Sequence, residues 1–187
     1  MLSTCRNLLN KRAAPLLSRA ISSKSIDIKR ADEASLNSKL PKEELVFGKT
    51  FTDHILEIDW NSSSGWRAPQ IKPFGDLQVH PAASSLHYGL QCFEGMKAYV
   101  DKEGEVRLFR PDKNMERMNT SCERLFLPKF DGEELVECIK ELIKVDRDWI
   151  PEGEGFSLYI RPTAISTHPY LGVTKPDNAK IFVILSP

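Results

Sequence analysis

The sequence predicts an α+β domain with a mostly antiparallel sheet and flanking helices. Three observations carry that expectation. Short strand-like runs are separated by tight-turn residues, and two later stretches repeat apolar residues at helical spacing. The two kinds of element do not alternate in the regular way that βαβ units of a parallel sheet require.

Taken in order, His54 to Trp60 reads as a strand after Phe47-Gly48-Lys49. The serine- and glycine-rich turn from Asn61 to Gly65 makes it part of a hairpin or meander. Ile71 to Val79 is irregular, broken by Pro73 and Gly75, and His80-Pro81 leads into the stretch Ser84 to Tyr99. There Leu86, Leu90 and Phe93 are spaced by four and then three, which predicts a helix. Glu94-Gly95 breaks the period, and Met96 to Val100 reads as a strand. Asp101 to Gly104 joins that strand to Val106–Phe109 as a β-hairpin. Pro111 and Asp112 start a helix with Met115, Met118, Cys122 and Leu125 on one face, and Pro128 lies beyond its end. Asp131 is a candidate N-cap, with Glu134 three residues later in a capping-box pattern. The helix from Gly132 to about Arg147 buries Leu135, Ile139, Leu142 and Ile143. Phe156–Ile165 and Lys180–Leu185 are the last strands, separated by a Pro/Gly loop from His168 to Asn178.

At 187 residues, with 41% hydrophobic and 28% charged residues, the chain has the length and composition of a globular domain with a real core. The 26 basic and 26 acidic residues cancel, but unevenly. Residues 1–26 hold Arg6, Lys11, Arg12, Arg19 and Lys24 and no acid, leaving 21 basic against 26 acidic residues in the remainder. A net-negative body argues against nucleic acid or an anionic membrane as its partner. The basic, serine-containing leader has Leu8, Leu9, Leu16, Leu17 and Ile21 between its cations, and reads as a mitochondrial presequence, so the matrix is the expected location. No apolar run approaches the roughly 20 residues of a membrane span. Residues 27–42 are polar and read as a linker closed by Pro41, and 43–187 as the domain. Beyond Cys5, the three cysteines Cys92, Cys122 and Cys138 have no C-x-x-C spacing, so a disulfide framework or zinc site is not expected and the thiols read as reduced. His80 and His87 lack acidic or sulfur ligands at a useful spacing, so no metal is assigned.

The run H-P-A-A-S-S-L-H-Y-G-L-Q-C-F-E-G-M-K-A-Y resembles the branched-chain amino acid aminotransferase family, a pyridoxal-phosphate-dependent group of fold type IV. The likeness continues through R-L-F-R-P-D-K-N-M-E-R-M, S-L-Y-I-R-P, L-G-V and I-F-V-I-L-S-P, from roughly Glu44 to Pro187. It implies the small N-terminal domain of such an enzyme. The activity implied is transfer of the amino group of leucine, isoleucine or valine to 2-oxoglutarate through pyridoxal 5'-phosphate, by a homodimer. No lysine here matches the family's imine-forming lysine, which follows the I-L-S-P strand in the large domain, so these 187 residues alone are expected to be inactive. Two alternatives stand beside this reading: a non-catalytic truncated form that pairs with full-length subunits, and another fold type IV enzyme such as a D-amino acid aminotransferase or aminodeoxychorismate lyase.

By the same resemblance Arg117, in N-M-E-R-M, holds the cofactor phosphate, for which a guanidinium fork supplies directed, charge-assisted hydrogen bonds. By periodicity alone it reads as an exposed helix arginine paired with Glu116 or Asp112. Phe47, Tyr88, Phe93 and Tyr159 match aromatic residues of the family's substrate pocket; without the family they read as core aromatics. Arg161 falls two residues after Tyr159 on a strand and so on the same side. A cation there would let an otherwise apolar pocket accept the second carboxylate of 2-oxoglutarate. Leu171 and Val173, in L-G-V, match a loop that reaches into the neighbouring subunit's pocket, as Tyr88 does. Lys97 follows the pocket turn, but the family does not use it as the reactive lysine.

Overall fold

The computed structural model describes residues 20–187, so most of the expected presequence lies outside the described residues. The strands are β1 (Asp27–Ile28), β2 (His54–Asn61), β3 (Gly65–Trp66), β4 (Gln70–Pro73), β5 (Gln91–Phe93), β6 (Met96–Val100), β7 (Val106–Leu108), β8 (Leu158–Ser166) and β9 (Asn178–Ser186). The α-helices are α1 (Ser84–Tyr88), α2 (Pro111–Arg124) and α3 (Gly132–Val145). All of these strands join one sheet in the order β1-β4-β2-β9-β8-β6-β7, with β3 paired to β2 and β5 to β8. Every pairing among the described residues is antiparallel except β1 with β4. The protein is α+β, as expected.

Alternation along the strands gives the sheet two unlike faces. On β8, Leu158, Ile160 and Ala164 are buried, while Tyr159, Arg161 and Thr163 between them are half-buried. Met96 and Ala98 of β6 are buried, and Lys97 and Tyr99 are exposed. The buried set joins Leu56, Ile58, Ile181, Val183 and Leu185 under Met115, Met118 and Cys122 of α2 and Leu135, Ile139, Leu142 and Ile143 of α3. The helices thus cover one face of the sheet, and the other carries Tyr159, Arg161 and Lys97.

Asp131 caps α3 as expected, its Oδ1 accepting from the Glu133 and Glu134 N–H groups at 3.0 and 3.1 Å. Glu134 does not close the capping box. Its carboxylate accepts from the Ser23 N–H at 2.6 Å, which fastens the chain entering the domain, and Ile21 beside it is 1% exposed in the core. Residues 27–42, read as a linker, lie along the domain. Asp27–Ile28 pairs with Gln70–Ile71, and the Asn37 N–H reaches Asp53 at 2.8 Å. The Ala31 N–H reaches Nε2 of the buried His54 at 2.8 Å. Because Nε2 accepts, the neutral ring carries its proton on Nδ1 and donates it to Asp146 at 2.6 Å. Trp149 Nε1–H donates to the other oxygen of Asp53 at 2.6 Å, so these buried polar groups are matched.

The helix expected across residues 86–93 also fails to form. The 86/90/93 period does not form a continuous helix: α1 is one turn, closed by Gly89 at φ +64°, and Gln91–Phe93 is a strand paired with Thr163–Ile165. Leu86 and Phe93 are 64% and 59% exposed, so their spacing marks no core-facing stripe.

Candidate active site

The sheet's open face and the N-terminal half of α2 together position the candidate site. α2 begins at Pro111, whose fixed φ and missing N–H suit the first helical turn, and the helix carries Arg117 outward near the turn that follows β5. Arg117 does not pair with Glu116 or Asp112. Its Nε and Nη2 donate to the two carboxylate oxygens of Glu94 at 2.9 and 2.8 Å, a bidentate fork. Asn114, one turn earlier, donates to Glu94 at 2.8 Å and to the Gly95 carbonyl at 2.9 Å. Burial alone would raise the Glu94 pKa, but the hydrogen bonds from Arg117 and Asn114 and the Arg117 charge bring it below the usual glutamate value. The same pairing holds the guanidinium firmly protonated. In the sequence Glu94 reads only as a period breaker; without the fold, no spacing rule brings it to a residue 23 positions later.

Phe47, Phe93, Tyr159 and Arg161 meet on the open face. The Phe47 and Tyr159 rings stand edge to face, with centroids 4.9 Å apart and an 89° interplanar angle. Arg161 donates to the Tyr159 hydroxyl from Nη2 at 3.0 Å, and its guanidinium carbon sits 4.6 Å from the Phe93 ring centroid and 5.1 Å from that of Tyr159. A Cβ on Gly95 would lie 3.0 and 3.1 Å from the Cζ and Cε2 of Tyr159 and nearer still to its hydroxyl. Gly95 is therefore required by close approach rather than by a left-handed turn. It joins the Arg117–Glu94 pair to the aromatic group.

Tyr159 is the common wall of adjoining clefts. One, about 600 Å³, is lined by Lys97, Lys113, Asn114 and Arg117, and a second, about 120 Å³, by Phe47, Phe51, Arg161 and Ile184. A further cleft of about 630 Å³ between α2 and α3 is rimmed by Asp112, Glu116, Asp131, Glu133 and Glu137, a charge that suits neither phosphate nor carboxylate. The donor set of the first cleft suits a phosphate dianion, since the guanidinium is held on one edge by Glu94 while its side chain stays 60% exposed. Lys97 is exposed on β6 in register with Tyr159.

Tyr88 meets Leu171, and none of Tyr88, Leu171 and Val173 lines the clefts beside Tyr159. The Tyr88 hydroxyl donates to the Leu171 carbonyl, and Leu171 and Val173 are 59% and 83% exposed. A Cβ on Gly172 would meet the Tyr170 ring, with Cζ 2.6 Å away, so the exposed tyrosine would have to swing aside. His80 and His87 are engaged locally, His87 Nε2 with the Pro81 carbonyl at 2.8 Å and His80 Nδ1 with the Ala82 N–H at 3.1 Å.

Residues 91–187, which include β5 and the whole Glu94–Arg117–Tyr159–Arg161 cluster, match the family described as amino-transferase class IV. The chain belongs to that family. Within it, the chain is 55% identical over 152 residues to the cytosolic branched-chain-amino-acid aminotransferase of Mus musculus, a match covering 81% of this chain and 39% of the relative. It is 56% identical over 147 residues to the mitochondrial enzyme of Rattus norvegicus, covering 79% and 37%. Among solved structures, the branched-chain aminotransferase of Thermoproteus uzoniensis with norvaline matches at TM-score 0.53 and 26% identity, over 70% of this chain and 40% of that one. The T.th. branched-chain amino acid aminotransferase with pyridoxamine 5'-phosphate matches at 0.52 and 29%, over 69% and 39%. The chain thus spans about two fifths of the length of the relatives it matches.

Proposed function

We propose that this chain is the cofactor-phosphate and side-chain-selecting part of a branched-chain-amino-acid transaminase. In this reading the whole protein transfers amino groups from leucine, isoleucine or valine to 2-oxoglutarate. The observation that carries it is the continuous chain of contacts from Arg117 through Glu94 and Gly95 to Tyr159, Phe47, Arg161 and Phe93. It sets a fixed cation beside a wall of rings, which suits a ligand with a phosphate at one end and a branched apolar group at the other. The identity of about 55% to branched-chain enzymes supports this over other class IV chemistries.

Pyridoxal phosphate, when bound, supplies an electron sink for removal of the Cα proton of an amino acid. The residues of this chain bind and sort. Arg117 offers its guanidinium to the phosphate, and Glu94 fixes the orientation of that guanidinium. Phe47, Phe93 and Tyr159 exclude water around the substrate's aliphatic group. Arg161, already stacked and hydrogen-bonded, holds the second carboxylate of 2-oxoglutarate, whose desolvation an apolar pocket could not offset. The proton-moving lysine is assigned to residues outside these 187.

Tyr88, Leu171 and Val173 are assigned to the pocket of a second subunit in a homodimer; their separation from the ring cluster and their exposure support that role. A matrix location rests on the basic, acid-free leader. Relatives occur in both cytosolic and mitochondrial forms. Since Ile21 is packed in the core, the removable part of the leader would end before it.

Replacing Arg117 by Met in the full-length protein tests the assignment. Affinity for pyridoxal phosphate should fall about 10- to 100-fold, the effect of losing a charge-assisted hydrogen bond, with little change for unphosphorylated pyridoxal. An unchanged ratio of the two affinities would remove Arg117 from the site.

A further inference from the structure

Strand alternation that turns Phe93 to the open face turns its neighbour Cys92 the other way, toward α2. There it meets Cys122, with the two sulfur atoms 3.6 Å apart although the residues are 30 positions apart in sequence. Cys122 is fully buried and Cys92 half-buried, so Cys92 is the more accessible of the two residues. We propose that Cys92 and Cys122 are a peroxide-oxidisable dithiol whose disulfide reversibly staples β5 to α2.

The chemistry balances with a peroxide as oxidant. The Cys92 sulfur attacks the O–O bond of hydrogen peroxide and becomes a sulfenic acid, releasing one water. The Cys122 sulfur then displaces the hydroxyl from the Cys92 sulfur, and the thiol proton of Cys122 leaves with that hydroxyl as a second water. The two thiols are oxidised by two electrons and the peroxide is reduced by two. Closing from 3.6 Å to a disulfide of about 2.05 Å asks for side-chain rotation across an existing contact rather than the bringing together of distant elements. The hydrogen bond from Cys122 lowers the Cys92 pKa against burial and the nearby Glu94 charge, while the Cys122 thiol is raised, which makes Cys92 the first sulfur to react. The site elements would be joined, because the strand runs on into Phe93 and Glu94 and the same helix carries Arg117.

Cys138 is an internal control. It is buried in α3, hydrogen-bonds no other sulfur among the described residues, and has its thiol pushed up to about 12, chiefly by burial. The test is a peptide map of the full-length protein after graded hydrogen peroxide, alkylated under denaturing conditions without reductant. Tryptic peptides 68–97 and 118–124 should appear joined and two hydrogens lighter than their sum. Alkylatable thiol should be lost equally at Cys92 and Cys122 and retained at Cys138, with dithiothreitol reversing the loss. Cys122→Ala should leave Cys92 as a sulfenic or sulfinic acid with no linked peptide. Free Cys122 beside an overoxidised Cys92 in the wild-type protein, or both thiols intact when Cys138 has reacted, would overturn the proposal. These outcomes are read on the wild-type protein, so they stand even if the variant does not fold.

Discussion

The most direct check on the site geometry is Gly95→Ala. The added methyl would lie 3.0 Å from Cζ and 3.1 Å from Cε2 of Tyr159, with the hydroxyl closer, all inside the roughly 3.5 Å where favourable carbon contacts begin. The ring would have to retreat by about 1 Å to restore that separation. It is not free to do so, since Phe47 abuts it edge to face, Arg161 holds its hydroxyl, and its backbone is paired to Ser186 on one side and Lys97 on the other. Overpacking of this kind costs about 1–3 kcal/mol, to which displacement of the hydroxyl adds part of a hydrogen bond, about 1 kcal/mol. Urea unfolding at about 25 °C on the full-length protein measures the loss as a lower midpoint at constant slope. Tyr159→Phe removes the nearest atom. The double variant Gly95→Ala/Tyr159→Phe should therefore be less destabilised than the sum of the two single variants, by about 1 kcal/mol. Strict additivity, or a Gly95→Ala protein as stable as wild type, would refute the close approach and with it the bridge between Arg117 and the rings.

Other expectations follow from individual contacts. His54→Ala should destabilise by about 3 kcal/mol, because Asp146 loses the ring donor, keeping only the residue 54 backbone N–H, and the Ala31 N–H loses its acceptor; limited proteolysis should then cut first within 27–42. Asp131→Ala should cost about 1 kcal/mol in chemical denaturation through loss of the α3 cap, and Asp131→Ser should restore most of it. Burial would raise the Glu57 pKa, but hydrogen bonds from Lys180 and Lys72 and their charges lower it beneath its ordinary 4.5. Its stabilising contribution is therefore complete above that value and disappears as pH falls through the lower folded-state pKa, so Glu57→Gln should flatten the acid limb of a stability–pH curve. On the proposed transaminase reading, Arg161→Ala in the full-length protein should impair the 2-oxoglutarate half-reaction more than the leucine half-reaction in single-turnover measurements. Equal losses would withdraw the carboxylate role.

Local signals identify most elements correctly, because their cause is local. Pro111 starts α2, Asp131 caps α3, and Asp101 to Gly104 turns the β6–β7 hairpin, each through chemistry within a few residues. The Leu86/Leu90/Phe93 spacing misleads because three exposed or part-exposed side chains happen to fall at helical intervals. The stop at Gly89 and the pairing of Gln91–Phe93 with β8 outweigh them. Residues 27–42 look like a linker because their side chains are polar; their attachments run largely through backbone N–H groups, which composition does not reveal.

The amino-acid order alone was enough for the α+β class, the positions of the two long helices and the β6–β7 hairpin, the uneven charge, and the family motifs containing Phe93, Arg117 and Tyr159. Folding in three dimensions settled the rest: Glu94 orients Arg117, Gly95 is held small by Tyr159, and Cys92 faces Cys122. It also divided the substrate candidates between a ring cluster and a separate exposed loop. The difference is one of range. Caps, turns and periodicity depend on neighbours a few residues apart, whereas these partners lie 23 to 112 positions apart and meet only once strand register has been set.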